Sequence, residues 1–278
     1  MRPRPARPWQ LAAALLTAAL LAGCATSVDP IERLGRKAAQ GVRPPSPSAD
    51  RTYRRWGLEA PLPAPPKPPD RPPRPAGATP PAGPPEVVDR VATSDPVVFL
   101  TYDDGAEKDP RFVDMVRELR LPVSMFLTDS VVGPGYGHFA RLMSAGADLQ
   151  NHTLDHPSLR GLPYGGQRAE ICGQRDRIRS RFGVSPRLFR PPYGRYDRTT
   201  LRAAADCGVS AVVLWRGVTT DNGLRFRHGP HELRAGDILL VASGDDDLDG
   251  PPLRDRTTRL LRRIQESGLT VGRLQDYL

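Results

Sequence analysis

Proline is concentrated in one part of this chain, and this concentration determines where a folded core can form. Of the 32 prolines in 278 residues, 16 lie between residues 41 and 85. Proline fixes φ and lacks a backbone N–H, so such a stretch favours extended polyproline II over helices and sheets. We therefore predict a disordered, Pro-rich linker over residues 24–95 and a folded domain over residues 96–278.

The first 23 residues have the pattern of a secretory signal peptide. Arg2, Arg4 and Arg7 precede an apolar run over residues 11–21, which is shorter than the roughly 20 residues that span a bilayer. The run ends in Leu-Ala-Gly-Cys, and this ending resembles the lipobox of bacterial lipoproteins. The resemblance implies cleavage before Cys24 and lipidation of its thiol. We expect an extracytoplasmic lipoprotein anchored to the outer face of the cell membrane; an uncleaved transmembrane anchor is the alternative.

Two cysteines remain in the part of the chain that we expect to be exported. Disulfides persist outside the cytoplasm, and an even number of thiols is typical of paired cysteines. We therefore predict a disulfide between Cys172 and Cys207. Two buried thiols that pack as small apolar side chains are the alternative.

The formal charge of +9 does not indicate a nucleic-acid partner. Most of the basic excess lies before residue 96, and the predicted domain is close to neutral. A nucleic-acid-binding surface needs its basic residues clustered on the folded domain. No nucleic-acid partner is expected.

Beyond residue 96, short apolar runs alternate with helical patterns. We predict strands at 97–100, 123–127, 148–150, 188–189, 209–215, 236–241 and 269–271, and helices at 110–120, 137–145, 166–182, 199–207 and 253–267. This βα order favours an α/β fold with a mostly parallel sheet covered by helices. Functional side chains are then expected at the carboxyl ends of the strands.

Two acidic residues, Asp103 and Asp104, follow the first predicted strand. Adjacent side chains point to opposite sides of an extended chain, so we expect one carboxylate to face a metal and the other a reacting group. A turn or a helix N-cap is the alternative for this pair.

Two histidines four residues apart follow another predicted strand. On one helical turn, His152 and His156 would present both imidazoles on the same side, which suits one divalent cation. A third ligand from Asp104 would give the donor count of a catalytic zinc site with an open position. Solvated or capping histidines are the alternative.

A third polar stretch, Phe189-Arg190-Pro191-Pro192-Tyr193-Gly194, also follows a predicted strand. Arg190 can fix a carboxylate through hydrogen bonds, and the two prolines stiffen the loop that presents Tyr193. Taken alone, the stretch is equally typical of a surface turn.

In this order, the three stretches resemble the polysaccharide deacetylase superfamily of carbohydrate esterases, whose patterns are Thr-Phe-Asp-Asp-Gly, His-Ser/Thr-x-x-His-Pro and Arg-x-Pro-Tyr/Gly. The resemblance implies a distorted (β/α) barrel. It also implies roles for individual residues: Asp103 as general base, Asp104, His152 and His156 as metal ligands, Arg190 as the group that orients Asp103, the Tyr193 amide as an oxyanion donor, and Trp215 as a wall of the acetyl pocket.

The chain departs from the family pattern at two positions. A late strand of the family usually ends in Leu-x-His, whose histidine protonates the leaving amine, and Ala242 stands at that position here. An Asp often follows the family's tryptophan, and Arg216 stands there. Asp221 is a candidate for the displaced carboxylate.

Three further groups are ambiguous in the sequence. His228 and His231 are candidates for a replacement acid, although their polar loop favours solvated side chains. The acidic run at residues 245–247 lacks the ligand spacing of known calcium loops and is more typical of a solvated turn.

The function implied by the resemblance is metal-dependent removal of N-acetyl groups from a cell-wall or extracellular polysaccharide or peptidoglycan. The expected cation is Zn²⁺, with Co²⁺ or another divalent ion as alternatives. Because Ala242 replaces the expected acid, two other functions stay open: a catalytically impaired glycan-binding module and an O-acetyl polysaccharide esterase. A monomer is expected.

Substitution of Cys24 tests the lipid anchor. Cys24→Ala removes the thiol to which the acyl chains would be attached, so the protein is expected to leave the membrane fraction. Ultracentrifugation of cell lysates, followed by immunoblotting, measures this. An unchanged membrane fraction for the variant would contradict the anchor.

Overall fold

The computed structural model describes residues 49–69, 83–105, 108–221, 223–242 and 251–278, all within one structural unit, Pro47–Leu278. The predicted signal peptide, Cys24 and the acidic run at 245–247 lie outside these ranges. In the part of the chain that is described, no helix is long and apolar enough to cross a membrane.

Strands and helices alternate along most of the chain. The strands are β1 (Glu86–Val88), β2 (Val97–Asp104), β3 (Val123–Leu127), β4 (Asp148–Asn151), β5 (Leu188–Phe189), β6 (Ala211–Val213), β7 (Gly217–Thr220), β8 (Gly223–Phe226), β9 (Ile238–Leu240) and β10 (Thr270–Val271). The helices are α1 (Ala49–Arg55), α2 (Pro110–Leu119), α3 (Asp129–Val132), α4 (Tyr136–Ser144), α5 (Tyr164–Phe182), α6 (Arg198–Asp206) and α7 (Leu253–Glu266), with 3₁₀ turns at Pro192–Gly194 and Leu274–Asp276.

One curved sheet contains these strands in the order β1-β6-β5-β4-β3-β2-β9-β7-β8, and β10 pairs with the first part of β2. All pairs are parallel except the β7–β8 hairpin. An isolated bridge between Arg90 and Asp237 joins the segment after β1 to the start of β9. The sheet therefore curls into a distorted (β/α) barrel, and the predicted fold class is confirmed.

The strand β2 shows how the barrel positions its functional groups. Successive side chains of a strand point to opposite faces, and Phe99 packs inside the barrel in a cluster with Phe126 and Ile238. Leu100 and Tyr102 point outward into a second cluster beneath α2 and α7. Parallel pairing of β2 with β3 and β9, and of β3 with β4, brings the carboxyl ends of these strands to one edge.

The sequence predicted most of the barrel elements and missed others. Two strands are shorter than predicted. Of the expected strand at 209–215 only β6 forms, and of that at 236–241 only β9 forms. The hairpin β7–β8, the short helix α3, the helix α1 and the strand β1 were not predicted.

The linker prediction is wrong for residues 49–69, here called the docked segment, and for β1. Tyr53, Trp56 and Leu58 are buried in the outer core cluster, and β1 pairs with β6. The domain therefore begins well before residue 96, because aromatic and leucine side chains in a Pro-free stretch of the linker find apolar partners on the barrel.

Polar contacts hold the docked segment along α7. The side chains of α7 donate to its backbone carbonyls: Thr258 to Trp56, Arg262 to Gly57, and Gln265 to Ala60 and Pro61. The indole Nε1 of Trp56 donates to Glu118 Oε2 of α2 at 2.8 Å. The bonds from α7 satisfy four backbone carbonyls of the docked segment.

A disulfide joins Cys172 of α5 to Cys207 at the end of α6, and the predicted pairing is confirmed. The cross-link closes a sequence separation of 35 residues. Loop-closure entropy then contributes on the order of 4 kcal/mol to stability, under a model in which the cross-link acts on the unfolded chain.

Loss of Trp56 tests the contribution of the docked segment. Trp56→Ala is expected to lower the free energy of unfolding by about 3–5 kcal/mol, because it leaves a cavity and removes the hydrogen-bond donor of Glu118 Oε2. Urea denaturation followed by circular dichroism measures the change. Arg51→Ala, an exposed position on α1, is the control and should change stability by less than about 0.5 kcal/mol. Equal midpoints for both variants would contradict the packing described here.

Candidate active site

Asp103 and Asp104 end β2 at the carboxyl edge of the sheet. Asp103 continues the inward-facing row of Phe99 and Thr101. In a regular strand Asp104 would point outward, but its φ of 64° turns the backbone into the left-handed region. His152 Nε2 consequently lies 3.9 Å from Asp103 Oδ2 and 3.5 Å from Asp104 Oδ1. Both carboxylates therefore lie near the same imidazole. In an extended chain, the side chains of Asp103 and Asp104 would point to opposite sides.

Arg190 is fully buried and fixes the Asp103 carboxylate. Its Nη1 donates to Asp103 Oδ1 at 2.6 Å and to Thr101 Oγ1 at 2.9 Å. Its Nε and Nη2 donate to the carbonyls of Val213 and Leu214, each at 3.1 Å. Four hydrogen bonds offset the cost of burying the charge, and they leave Asp103 one accessible oxygen with a fixed direction. The predicted contact between Arg190 and Asp103 is present.

Aromatic rings complete the surroundings of Arg190. The guanidinium carbon lies 4.3 Å from the ring centre of Phe126 and 5.5 Å from that of Trp215. Burial lowers the pKa of Arg190 from its ordinary value, and the Asp103 carboxylate opposes this shift. Because an arginine pKa lies far above neutral, the group stays charged beside Asp103.

The backbone of Arg190 also orients His152. The carbonyl oxygen of Arg190 lies 2.7 Å from Nδ1 of this buried imidazole. A carbonyl only accepts hydrogen bonds, so Nδ1 carries the proton and Nε2 presents its lone pair to Asp104. Burial lowers the pKa of His152, although Asp103 and Asp104 act in the opposite direction. The neutral imidazole that this favours is the form that binds a metal.

His152 and His156 do not lie on a helical turn, and that prediction is wrong. They lie in the loop after β4, where Thr153 and His156 have φ values of 76° and 58°. The Asn151 side chain accepts from the Thr153 amide, and Thr153 Oγ1 accepts from the His156 amide. The two imidazole centres are 5.0 Å apart, so the loop produces the convergence that a helix was expected to give.

Glu170 of α5 is a supporting residue that sequence reasoning missed. Its Oε2 accepts hydrogen bonds from the amides of Leu154 and Asp155, each at 3.0 Å. This contact pins the middle of the histidine loop to the helix. No local sequence signal identifies it, because Glu170 lies 15 residues beyond the loop on an ordinary helical face.

Asp104, His152 and His156 fit a single divalent cation. One ligand atom from each lies within 4.8 Å of the others. Asp104 Oδ1 is 3.5 Å from His152 Nε2 and 3.2 Å from His156 Nε2. Two ligands bound tetrahedrally at 2.0–2.1 Å are about 3.3 Å apart, so both distances suit zinc. Two imidazoles and one carboxylate are also the donor set of catalytic zinc sites with an open position.

Tyr193 and Trp215 border this cluster. The exposed Tyr193 ring meets the His156 imidazole edge-on, with 4.7 Å between ring centres. Tyr193 has a φ of 59° in the 3₁₀ turn Pro192–Gly194. A Cβ added at Gly194 would lie 3.3 Å from the Trp215 ring, so the loop and this half-buried indole are neighbours.

The strand register places Ala242 beside Asp103. Thr101 pairs with Leu240, the last residue of β9, and the Val241 amide donates to the Thr101 carbonyl. Continued by two residues, this register aligns Ala242 with Asp103. By this register, the residue aligned with Asp103 is an alanine, and we assign it to the position at which the family pattern has a histidine.

The other candidate groups make contacts of their own. His228 Nε2 contacts Asp89 Oδ2 at 2.5 Å, and the His231 ring stacks on Phe226. Arg216 is buried and donates to the Pro230 carbonyl. Asp221 pairs with Arg256 at 3.2 Å. None of these contacts brings a replacement acid or carboxylate to Asp103.

The comparisons with known proteins agree with this arrangement. A family model described as polysaccharide deacetylase matches residues 90–212, a range that contains the Asp103, His152 and Arg190 stretches. This part of the chain matches the polysaccharide deacetylase family.

Three related proteins illustrate the range of similarity. An uncharacterized protein of Streptomyces coelicolor is 62% identical over 70% of this chain and 78% of its own length. A chitooligosaccharide deacetylase of Sinorhizobium fredii is 29% identical over 45% of this chain and 60% of its own. A peptidoglycan-N-acetylglucosamine deacetylase of Bacillus cereus is 26% identical over 45% and 48%. The alignments thus span about half to three-fifths of the two named deacetylases.

Solved structures share the fold. A family 4 carbohydrate esterase of Bacillus anthracis superposes with a TM-score of 0.57 and 21% identity, covering 68% of this chain and 86% of that one. A pseudoenzyme of the same family, also from Bacillus anthracis, gives 0.59 and 19%, covering 69% of each chain. One barrel therefore occurs in proteins described as esterases and as a pseudoenzyme.

Metal titration tests the cation site. The wild type is expected to bind one Zn²⁺ per chain in isothermal titration calorimetry, and Asp104→Asn is expected to weaken binding more than about 100-fold by removing a charged ligand. Asp155→Asn, an exposed position in the same loop, is the matched control and should bind like wild type. Equal affinities for the two variants would contradict the assignment.

Proposed function

We propose that this chain is a metal-dependent hydrolase that removes N-acetyl groups from a cell-wall or extracellular polysaccharide. One observation carries the proposal: a carboxylate fixed by a buried arginine lies beside two histidines and a second carboxylate that fit one cation. The match of residues 90–212 to the polysaccharide deacetylase family model supports the same chemistry. Zn²⁺ is the proposed cation, and Co²⁺ suits the same donors.

Asp103 is the proposed general base. Its free oxygen faces His152 Nε2, next to the proposed ligands, so it can take a proton from water that attacks the acetyl carbonyl. Arg190 is a positioning residue, since its buried guanidinium group holds the Asp103 carboxylate in a fixed orientation. Asp104, His152 and His156 would hold the cation, which when bound polarises the carbonyl and lowers the pKa of water toward ~7.

Tyr193 and Trp215 complete the proposed acetyl pocket. The left-handed backbone at Tyr193 turns its amide relative to the preceding prolines, and we assign this amide as a donor to the charge that builds on the carbonyl oxygen. One well-placed donor of this type stabilises the transition state by about 3 kcal/mol. Trp215 is the proposed apolar wall against the acetyl methyl group.

Ala242 favours a second candidate, a glycan-binding module with little catalysis. Without an imidazole at this position, protonation of the leaving amine falls to Asp103 or to solvent, and loss of a general acid commonly slows a reaction 10²- to 10⁴-fold. An ester is less affected, because an alkoxide leaves more readily than an amine. An O-acetyl polysaccharide esterase is therefore the remaining alternative.

The proposed location of the protein is extracytoplasmic, with Cys24 as a lipid anchor and the domain as a monomer. The disulfide between Cys172 and Cys207 supports an oxidising compartment. Polysaccharide or peptidoglycan is the proposed substrate, as the names of related deacetylases suggest.

Acetate release tests the activity. The zinc-loaded wild type is expected to release acetate from chitooligosaccharide or peptidoglycan fragments, and Asp103→Asn is expected to reduce the rate at least 100-fold with zinc affinity largely retained. Equal background for both proteins on these substrates and on acetylated xylan would favour the binding module. Release from xylan alone would favour the esterase.

Restoring the missing imidazole gives a gain-of-function test. Ala242→His places a proton donor beside Asp103, so we expect acetate release from the amide substrate to rise at least tenfold. The pH–rate profile should gain a limb near the pKa of the new histidine. Ala242→Gln is the control for size, and an equal rate for both variants would contradict the role assigned to this position.

A further inference from the structure

A groove of about 190 Å³ lies between α7 and the β7–β8 hairpin, apart from the proposed metal ligands. Eight residues line it: Thr219, Thr220, Gly223, Leu224, Arg256, Arg259, Leu260 and Arg263. Three of them are arginines, and two are threonines: Thr219 Oγ1 accepts from the Ala242 amide, and Thr220 Oγ1 donates to the Gly223 carbonyl. Leu224 and Leu260 give the groove apolar surface, which lowers the local dielectric and strengthens charge interactions.

The arginines form one stripe on α7. Arg256, Arg259 and Arg263 are spaced three and four residues apart, which places them on one face of the helix. Arg259 and Arg263 are exposed, and among the residues that the structure describes neither makes an ion pair. The guanidinium groups of Arg259 and Arg263 can therefore bind carboxylate or phosphate oxygens in the groove.

Arg256 forms the inner end of the stripe. Its side chain is 6% exposed, and it donates to the carbonyls of Pro251 and Ala242. Its Nη2 lies 3.2 Å from Asp221 Oδ1 on the hairpin turn. The Asp221 carboxylate is 52% exposed, so solvent can replace it as the partner of Arg256. An incoming anion would then compete with Asp221 for this end of the groove.

The groove borders the candidate active site through Ala242. The Ala242 amide donates to Thr219 Oγ1, and its carbonyl accepts from Arg256. The side chain of the same residue lies beside Asp103 in the strand register. Since β7 is two strands away from β2, and strands lie about 4.8 Å apart, the groove begins on the order of 10 Å from the general base. This distance suits a neighbouring sugar of a bound polysaccharide.

We propose that this groove is a subsite for an anionic group, a carboxylate or a phosphate, carried on the glycan chain that enters the site. The identity of the carrier as a glycan rests on the proposed function. The binding of the anion rests on the arginine stripe alone. The proposed substrate class is thus an N-acetylated glycan with a negative charge one or two residues from the acetyl group.

Binding measurements on the full chain with Asp103→Asn, which prevents turnover, test the subsite. The probes are a hyaluronan hexasaccharide for carboxylate, poly(glycerol phosphate) for phosphate, and chitohexaose as the neutral glycan, each titrated by calorimetry. Arg259→Ala/Arg263→Ala is expected to weaken binding of an anionic probe about tenfold, and chitohexaose binding should not change. Arg168→Ala/Arg225→Ala, two exposed arginines outside the groove, is the charge-matched control.

A second variant gives an effect of the opposite sign. Asp221→Asn removes the carboxylate that competes for Arg256, so binding of the anionic probe is expected to tighten about threefold. A preference for hyaluronan identifies a carboxylate subsite, and a preference for poly(glycerol phosphate) identifies a phosphate subsite.

The proposal is overturned if Arg259→Ala/Arg263→Ala and Arg168→Ala/Arg225→Ala bind both anionic probes with equal affinity. It is also overturned if Arg259→Ala/Arg263→Ala weakens chitohexaose binding by the same factor as binding of the anionic probes. These outcomes are independent of acetate release. An inactive wild type whose anion binding still depends on Arg259 and Arg263 would refute the hydrolase and leave the anionic subsite intact.

Discussion

The arrangement of the site depends on the burial of Arg190. The guanidinium group fixes Asp103, and the carbonyl of the same residue fixes the tautomer of His152. Arg190 therefore orients both the proposed base, Asp103, and a proposed metal ligand, His152. The backbone carbonyls at the end of β6 accept hydrogen bonds from Arg190 and hold it in place. This buried ion pair is costly to break, since removal of the Asp103 carboxylate would leave the Arg190 charge unpaired in the interior.

Local sequence patterns predicted the alternating strands and helices, and the family resemblance implied the barrel, but neither predicted the elements that complete it. Strands such as β3 are short apolar runs between helices, so their pattern is unambiguous. The docked segment was missed because Trp56 and its neighbours lie within a Pro-rich stretch, although residues 51–60 contain no proline and three aromatic or leucine side chains. The β7–β8 hairpin was missed because its signal, Asn followed by Gly223, is short and easily taken for a loop.

For the candidate site, the sequence predicted residue types but not the backbone that brings them together. Spacing suggested a helical turn for His152 and His156, yet a loop with left-handed residues brings them together. The support from Glu170 depends on tertiary packing, which no local pattern encodes. The residue type at position 242 is read directly from the sequence, whereas its alignment with Asp103 depends on the register between β2 and β9.

Left-handed backbone at residues other than glycine is concentrated at the candidate site. Asp104, Thr153, His156 and Tyr193 all have φ between 58° and 76°, a conformation that costs on the order of 1 kcal/mol or more for each such residue. The folded chain therefore holds its ligands in place at the expense of its own stability. Any cation that binds only this native geometry returns part of that free energy, so metal occupancy and thermal stability become thermodynamically linked.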